Sequence, residues 1–313
     1  MLSNVLNALS RRAPLLLALG VMIGLAAPGL AEIARPLLAP SIWILLTLAA
    51  VRIDPAQSIA HIRRPGAVLA TLLWMLVVTP LLAWGILTML PVDSPGLAAA
   101  LVLMAGAAPL MSTPSLAQIL GLDDALAMLV MVIATMLSPF TLPFIALHLL
   151  GFDLGIDPMV WSLQLTLFIG SAVAVALILR RMLGADRIKA ARQSMDLAMV
   201  ALLLTFSVAI MDGVTDRLLT ETAYVLGMTG IAFLAYGLFL AAGTLAGLSF
   251  GKRVALTIGF VGSNRNVGVI LAVLPAGAHP DIFLYFAIWQ LPMYIMPAIL
   301  THLYKRTAVA GVP

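Results

Sequence analysis

The 313-residue chain contains no cysteine. Disulfides, thiolate metal ligation, iron–sulfur clusters and thiol nucleophiles are therefore excluded. Charge is almost as scarce. Asp, Glu, Lys and Arg together make up 10% of the sequence, against about 25% in an ordinary soluble domain. With 63% apolar residues and a mean hydropathy of +1.13, there is too little polar material to cover a soluble surface. Soluble, disordered and nucleic-acid-reading classes all fall, and no nucleic-acid partner is expected. The high pI of about 9.8 does not restore one, because the net charge is only +4. That balance fits basic loops beside membrane spans better than a phosphate-binding face.

What is present is a succession of apolar runs. A membrane helix needs about 20 apolar residues. Reading between charge and turn clusters gives ten runs: 13–30, 37–52, 67–91, 96–120, 125–150, 159–180, 195–212, 222–249, 254–274 and 282–303. The second and seventh are short. The expected fold is an all-α polytopic membrane protein of about ten spans, forming one domain over 1–313 with no soluble module. Arg11-Arg12 and the small residues at 27–31 give the first run the outline of a cleavable signal. Polytopic chains rarely use one, so that run is kept as a span.

Lysine and arginine placement sets the orientation. With the N-terminus inside, the even connections and both ends hold 14 of the 17 basic residues, among them Arg52, Arg63, Arg64, Arg180, Arg187 and Lys252. The odd connections hold Arg35 and Arg217 beside Glu32, Asp93, Asp153, Asp157, Asp212, Asp216, Glu221 and Asp281. Both termini are expected in the cytoplasm, and the membrane is an inner or plasma membrane. The remaining basic residue, Arg265, lies inside the ninth run.

Ten spans divide into two halves of five, about 13–150 and 159–303. An odd number per half makes the second insert upside down, the inverted-repeat plan of secondary transporters. The basic stretch 180–194 falls at the join. Span four contains Gly106-Ala107-Ala108-Pro109-Leu110-Met111-Ser112-Thr113-Pro114-Ser115, and span nine contains Gly259-Phe260-Val261-Gly262-Ser263-Asn264-Arg265-Asn266-Val267-Gly268. Two prolines five apart remove two helix donors, and unwound backbone survives in a membrane only when buried in protein or lining a cavity. Paired broken helices at matching places in two halves point to a binding site at the midplane. The alternative is two helices kinked for packing, with small residues at close contacts.

Arg265 is the sharpest single feature. An arginine at the centre of a span costs about 2.5–3.5 kcal/mol, and neither span four nor span nine carries Asp or Glu. Three partners are open: a substrate anion gripped by two parallel hydrogen bonds, the free carbonyls of a broken half-helix, or a carboxylate from elsewhere, such as Asp196 or Asp123–Asp124. Ser112, Thr113, Ser263, Asn264, Arg265, Asn266 and Gln290 form the candidate substrate site. Ser115, Gln118, Thr257, Ser263 and Asn264 are the candidate ion ligands. No metal site and no organic cofactor are expected. The 17 methionines are read as packing residues.

Over nearly its whole length the pattern resembles the bile acid:sodium symporter family. The resemblance is carried by the ten-span plan, by the proline-containing fourth span running into Gly121-Leu122-Asp123-Asp124, by Ser138-Pro139, by Thr257-Ile258 and Asn264, and by Phe286-Ala287-Ile288-Trp289. It implies a panel of spans 1, 2, 6 and 7 and a core of spans 3–5 and 8–10, with spans four and nine unwinding and crossing in the core. It also implies organic-anion substrates, such as bile acids or small carboxylates, driven by sodium. The sequence departs from the family at the sodium sites. The Ser-Asn pair of span four reads Pro114 and Ser115, the span-five hydroxyls read Ala127 and Met131, and the span-three glutamine reads Met75. The span-nine glutamate and glutamine fall on Gly259 and Ser263, and the span-ten histidine is Gln290. Arg265 is then expected to act as a tethered cation in place of sodium, by alternating access. An auxin efflux carrier-like transporter is the sodium-independent alternative. A membrane enzyme is remote: there is no H-E-x-x-H, and Asp123-Asp124 has no second aspartate pair to complete a prenyltransferase site. No motif speaks to oligomeric state.

Overall fold

A computed structural model describes residues 13–52, 65–89, 94–150, 157–274 and 278–308. Among these residues the protein is all helical. The only strand-like pairing is one isolated antiparallel bridge, between Pro109 and Arg265. The helices are α1 (Ala13–Ala26), α2 (Pro28–Ala34), α3 (Leu38–Arg52), α4 (Pro65–Leu73), α5 (Thr79–Met89), α6 (Pro95–Gly106), α7 (Thr113–Ile119) and α8 (Asp124–Leu149). They continue with α9 (Pro158–Ala190), α10 (Arg192–Ala209), α11 (Val214–Thr220), α12 (Thr222–Ala246), α13 (Lys252–Ser263), α14 (Val267–Ala272) and α15 (Pro280–Ala308). Among the described residues, seven stretches are long and apolar enough to cross a membrane: Pro28–Arg52, Pro65–Met89, Asp124–Leu149, Pro158–Ala190, Arg192–Thr220, Thr222–Ala246 and Pro280–Tyr304. Shorter apolar helices lie at Leu16–Ala26 and Pro95–Gly106. The chain is thus a multi-pass, all-α membrane protein.

Several boundaries differ from the sequence reading; the seventh run, 195–212, for one, extends over Arg192–Thr220. The second span begins at Pro28, not near residue 37, because α2 runs through a 3-10 turn (Arg35–Leu37) into α3. Glu32 and Arg35 read as loop residues, yet Arg35 is accommodated by an ion pair with Asp212 at 2.5 Å. The basic stretch 180–194 is helical instead of a loop. Gly184 leaves helical geometry and kinks α9 (φ 75°, ψ 160°), a conformation glycine adopts without a Cβ clash, and a turn at Ala191 separates α9 from α10. The alanines and long basic side chains around it favour helix.

The chain divides into two compact units. One comprises residues up to Asp54 and Thr166–Gly227. Within it α10 packs on α1, α2 and α3. Gly20 and Gly24 let α1 approach α10 closely: a Cβ on Gly20 would strike Ser207, and one on Gly24 would meet Met211 and the Val208 carbonyl at 2.8 Å. Polar ties fasten the unit at its helix ends. Arg52 Nη1 pairs with Asp196 Oδ1 at 2.6 Å, and Arg180 Nη1 donates to the Val51 carbonyl at 2.9 Å.

The other unit comprises Pro55–Leu165 and Met228–Pro313. Here α6 packs on α5, α8 and α15, and α14 lies on α15. The helix α6 is buried from Gly96 to Gly106 apart from Ala98, as a central helix must be. Ser94 caps it, accepting from the Leu97 N–H at 3.1 Å, and donates to Asp281 Oδ2 at 2.5 Å in the first turn of α15. One hydroxyl therefore serves two helix starts. Ser94→Ala should destabilise the protein by about 2–4 kcal/mol, the cost of a cap plus a charge-assisted bond. A thermal unfolding midpoint unchanged from wild type would contradict that role.

Candidate functional site

The two runs read from the sequence as spans four and nine are both broken, and the breaks meet. In span four, α6 stops at Gly106 and Ala107 turns extended (ψ 149°). Pro109 cannot donate a helix hydrogen bond, and it biases Ala108 away from helical geometry. The chain resumes helix at Thr113, with Pro114 near the start of α7, where a missing N–H costs nothing. In span nine, α13 stops at Ser263 and α14 starts at Val267. The side chains of Ser263 and Asn264 both donate back to the Phe260 carbonyl, at 3.0 and 2.9 Å, which competes with continued helix.

The two unwound segments satisfy each other. Leu110 N–H donates to the Asn264 carbonyl at 2.9 Å, and Asn266 N–H donates to the Ala108 carbonyl at 2.8 Å. The Pro109–Arg265 bridge sits between them. Two strands of open backbone thus cross inside the protein with their polar groups paired, the condition under which such backbone is tolerated in a membrane.

Arg265 is fully buried at this crossing. Nη1 donates to the Ala107 carbonyl at 2.9 Å and to the Met75 carbonyl at 3.3 Å, and Nη2 donates to Thr79 Oγ1 at 2.8 Å. The Phe239 ring centroid lies 5.7 Å from Cζ. No carboxylate pairs with Arg265 among the described residues. Asp196 is instead paired with Arg52, and Asp123 caps α8 through the Leu126 N–H. Of the three partners left open by the sequence, this conformer shows the carbonyl cap.

Span three supplies the seat for that cap. Trp74–Val78 forms a π-helical turn between α4 and α5, in which Thr79 N–H bonds to the Trp74 carbonyl. Pro80 has no N–H to offer the turn before it. The Met75 carbonyl therefore loses both its α-helical donor, diverted to Trp74, and its π-helical donor, absent at Pro80. It accepts instead from Arg265 and from Thr79 Oγ1, the latter at 2.8 Å. Thr79 Oγ1 also lies 2.8 Å from the Ala105 carbonyl, one of the open carbonyls at the end of α6. One threonine and one arginine link the π-turn, the broken fourth span and the broken ninth.

The other predicted residues divide. Asn264 is buried beside Arg265, and its Nδ2 donates to Tyr236 Oη at 3.0 Å. Tyr236 packs its ring against Trp289, centroids 6.0 Å apart. Gln290 follows Trp289, is fully buried, and donates through Nε2 to the Phe286 carbonyl. Thr113 is buried and Ser112 half-buried at the start of α7. Asn266 contributes its backbone. Three candidate ion ligands lie away from the crossing core. Ser115 and Gln118 are exposed, because α7 buries the face of Thr113 and Ala117, one turn apart, and Ser115 and Gln118 lie off that face. Thr257 is buried, but its hydroxyl accepts from Asp123 N–H at 3.0 Å and donates to the Arg253 carbonyl at 2.7 Å, so it ties the turn before α8 to α13. Among the described residues, no group of three or more His, Asp or Glu side chains could hold a metal.

Sequence reasoning missed Thr79 and Tyr236. The signal for Thr79 was a Thr-Pro pair inside an otherwise apolar run. Tyr236 had no sequence signal, since an isolated tyrosine in a span is ordinary. Several buried polar atoms in this unit have no partner among the described residues: Thr113 Oγ1, Asn264 Oδ1, Arg265 Nε, Trp289 Nε1 and Gln290 Oε1. Buried polar groups are normally paired, so such a concentration sets the region apart from a simple packing crossing. No protein-family model matches the chain, and no curated protein matches it.

Proposed function

We propose that the protein is a secondary transporter that moves a small organic anion, bile acid-like or a simple carboxylate, across an inner or plasma membrane by alternating access. The observation that supports this reading best is the pair of broken helices whose open backbones cross beside a buried arginine. On this reading the spans form two inverted halves, with both termini in the cytoplasm. The unit holding the crossing serves as the moving core, and the other as the panel. The unpaired acceptors Asn264 Oδ1 and Gln290 Oε1 would take a hydrogen from water or a substrate hydroxyl in another conformer, while Arg265 supplies the donors for the anionic group. The reading excludes enzymatic turnover and assigns no cofactor.

Sodium dependence is not part of the proposal. Gly259 stands where the resembling family places a glutamate, and a Cβ there would overlap Thr244 Oγ1 and the Leu240 carbonyl. Ala127 and Met131 supply no hydroxyl, and Ser115 faces outward. Arg265 is assigned the role of a cation fixed to the protein. The same observations favour the auxin efflux carrier-like plan as the second reading, since it shares the crossover and lacks sodium coupling.

The direct test is counterflow in proteoliposomes with labelled cholate, pyruvate and benzoate. Accumulation of at least one supports the proposal. A protein that moves none of them, and instead carries a labelled cation or neutral solute, overturns it. Thermal midpoints of the purified protein in NaCl and KCl at equal ionic strength should coincide. A ligand present at a hundredfold excess over its Kd stabilises by about 2.7 kcal/mol, so a sodium site of ordinary affinity would raise the midpoint in NaCl visibly.

A further inference from the structure

The guanidinium of Arg265 carries five N–H donors, and the structure accounts for three. Both hydrogens of Nη1 are engaged, by the Ala107 and Met75 carbonyls. One hydrogen of Nη2 goes to Thr79 Oγ1. Met75 O and Thr79 Oγ1 are themselves only 2.8 Å apart. That spacing matches the two parallel hydrogens at the tip of the fork, one from each terminal nitrogen. The donors left over are Nε–H, which has no partner among the described residues, and the second hydrogen of Nη2. These two lie on one edge of the planar group and point the same way. A pair of parallel donors on a guanidinium edge fits the two oxygens of a carboxylate.

We propose that Arg265 is clamp and receptor at once: its tip is held by Met75 and Thr79 and its remaining Nη1 hydrogen by Ala107, and its Nε–Nη2 edge receives a planar carboxylate. Thr79 is the positioning residue, since its hydroxyl turns the fork so that the other edge stays open. This inference rests on the transporter reading and narrows its substrate to carboxylates. The edge is shut from solvent in this conformer, so the carboxylate reaches it when the core opens to one face. Binding there leaves the tip bonds in place, and the crossing does not come apart during transport. Lysine cannot do both tasks, because its single ammonium has no second edge.

The test is a thermal-shift titration of the purified full-length protein with benzoate, using benzamide as a neutral probe of the same shape. Benzoate should raise the midpoint and benzamide should not. Thr79→Ser keeps the hydroxyl and should keep the benzoate affinity. Thr79→Val removes the acceptor and should weaken benzoate roughly tenfold, the effect of one charge-assisted hydrogen bond. Arg265→Lys keeps the charge and should weaken benzoate at least as much. Absence of benzoate protection in the wild type up to tens of millimolar overturns the inference. So does equal protection by benzamide, or benzoate affinity unchanged in Thr79→Val. If Arg265→Lys does not fold, the Thr79 pair still decides. Counterflow separates the two claims. Cholate or pyruvate counterflow with no effect of Thr79→Val on benzoate leaves a transporter whose anion site is elsewhere. Benzoate binding through Thr79 and Arg265 without any counterflow sinks the transporter reading alone.

Discussion

Arg265→Gln should lower the stability of the folded protein by several kcal/mol and abolish organic-anion counterflow even at temperatures where the variant remains folded. The reasoning starts from three hydrogen bonds, to the Ala107 carbonyl, the Met75 carbonyl and Thr79 Oγ1. Bonds to a charged group contribute about 1.5–3 kcal/mol each. Removing a buried charge from the membrane interior offsets about 3 kcal/mol of that loss. Glutamine is shorter and can reach at most one of the three acceptors, so a net loss remains. Met75 is partly rescued, because Thr79 Oγ1 lies 2.8 Å from both the Met75 and Ala105 carbonyls and its one hydrogen can be given wholly to Met75. Ala107 has no such substitute. Because the acceptors share one network, Arg265→Gln and Thr79→Val should not add. The double variant should fall short of the sum by 0.5–3 kcal/mol, the usual range for residues in direct contact. Full additivity would mean that the two side chains act independently, against the geometry. Counterflow measured below the variant's own midpoint separates lost binding from lost structure. Retained counterflow there would make Arg265 a clamp only.

The membrane class and the breaks in spans four and nine were legible in the sequence because their causes are local. A shortage of charge excludes a soluble surface whatever the fold. Pro109 and Pro114 remove helix donors wherever they sit, and the Ser263-Asn264 pair competes with helix through its own side chains. Arg265 was legible as an anomaly for the same reason. Which of its three open partners it takes was not, because two of its three acceptors are backbone carbonyls. Whether a carbonyl is free depends on the turn around it, and the Met75 carbonyl is free only because Trp74–Val78 adopts a π-turn ahead of Pro80. The outward turn of Ser115 and Gln118 was hidden too. Composition places them in the polar cluster, but the phase of α7 buries Thr113 and Ala117 instead. Glu32 and Arg35 misled in the other direction. They read as a loop between spans, whereas Arg35 is held in the continuous second stretch by Asp212, a residue 177 positions away.

Gly259→Ala should be among the most destabilising single-methyl changes in this protein. Gly243 and Gly259 let α12 and α13 touch: a Cβ on Gly243 would lie 3.0 Å from Gly259 Cα. A Cβ on Gly259 would overlap both Thr244 Oγ1 and the Leu240 carbonyl. Overpacking of this kind costs typically 1–3 kcal/mol, and more when the neighbour cannot move. The two neighbours differ in that respect. Thr244 can rotate its hydroxyl away, at the cost of its 2.7 Å bond to the Leu240 carbonyl. The Leu240 carbonyl is main chain in the middle of α12 and moves only with the helix. The companion change Thr244→Ala should therefore rescue Gly259→Ala in part and not in full. Complete rescue would place the clash on the side chain and leave the helices free to separate. No loss at all in Gly259→Ala would show that α12 and α13 do not touch as closely as described. Gly259→Glu carries the argument to the ion site. It would restore a carboxylate where the resembling family has one, but only by forcing α12 and α13 apart. Its midpoint should fall further than that of Gly259→Ala, in NaCl and KCl alike. A sodium-specific recovery of Gly259→Glu would mean that the helices do separate to admit the carboxylate, and that the chain retains the remainder of a cation site.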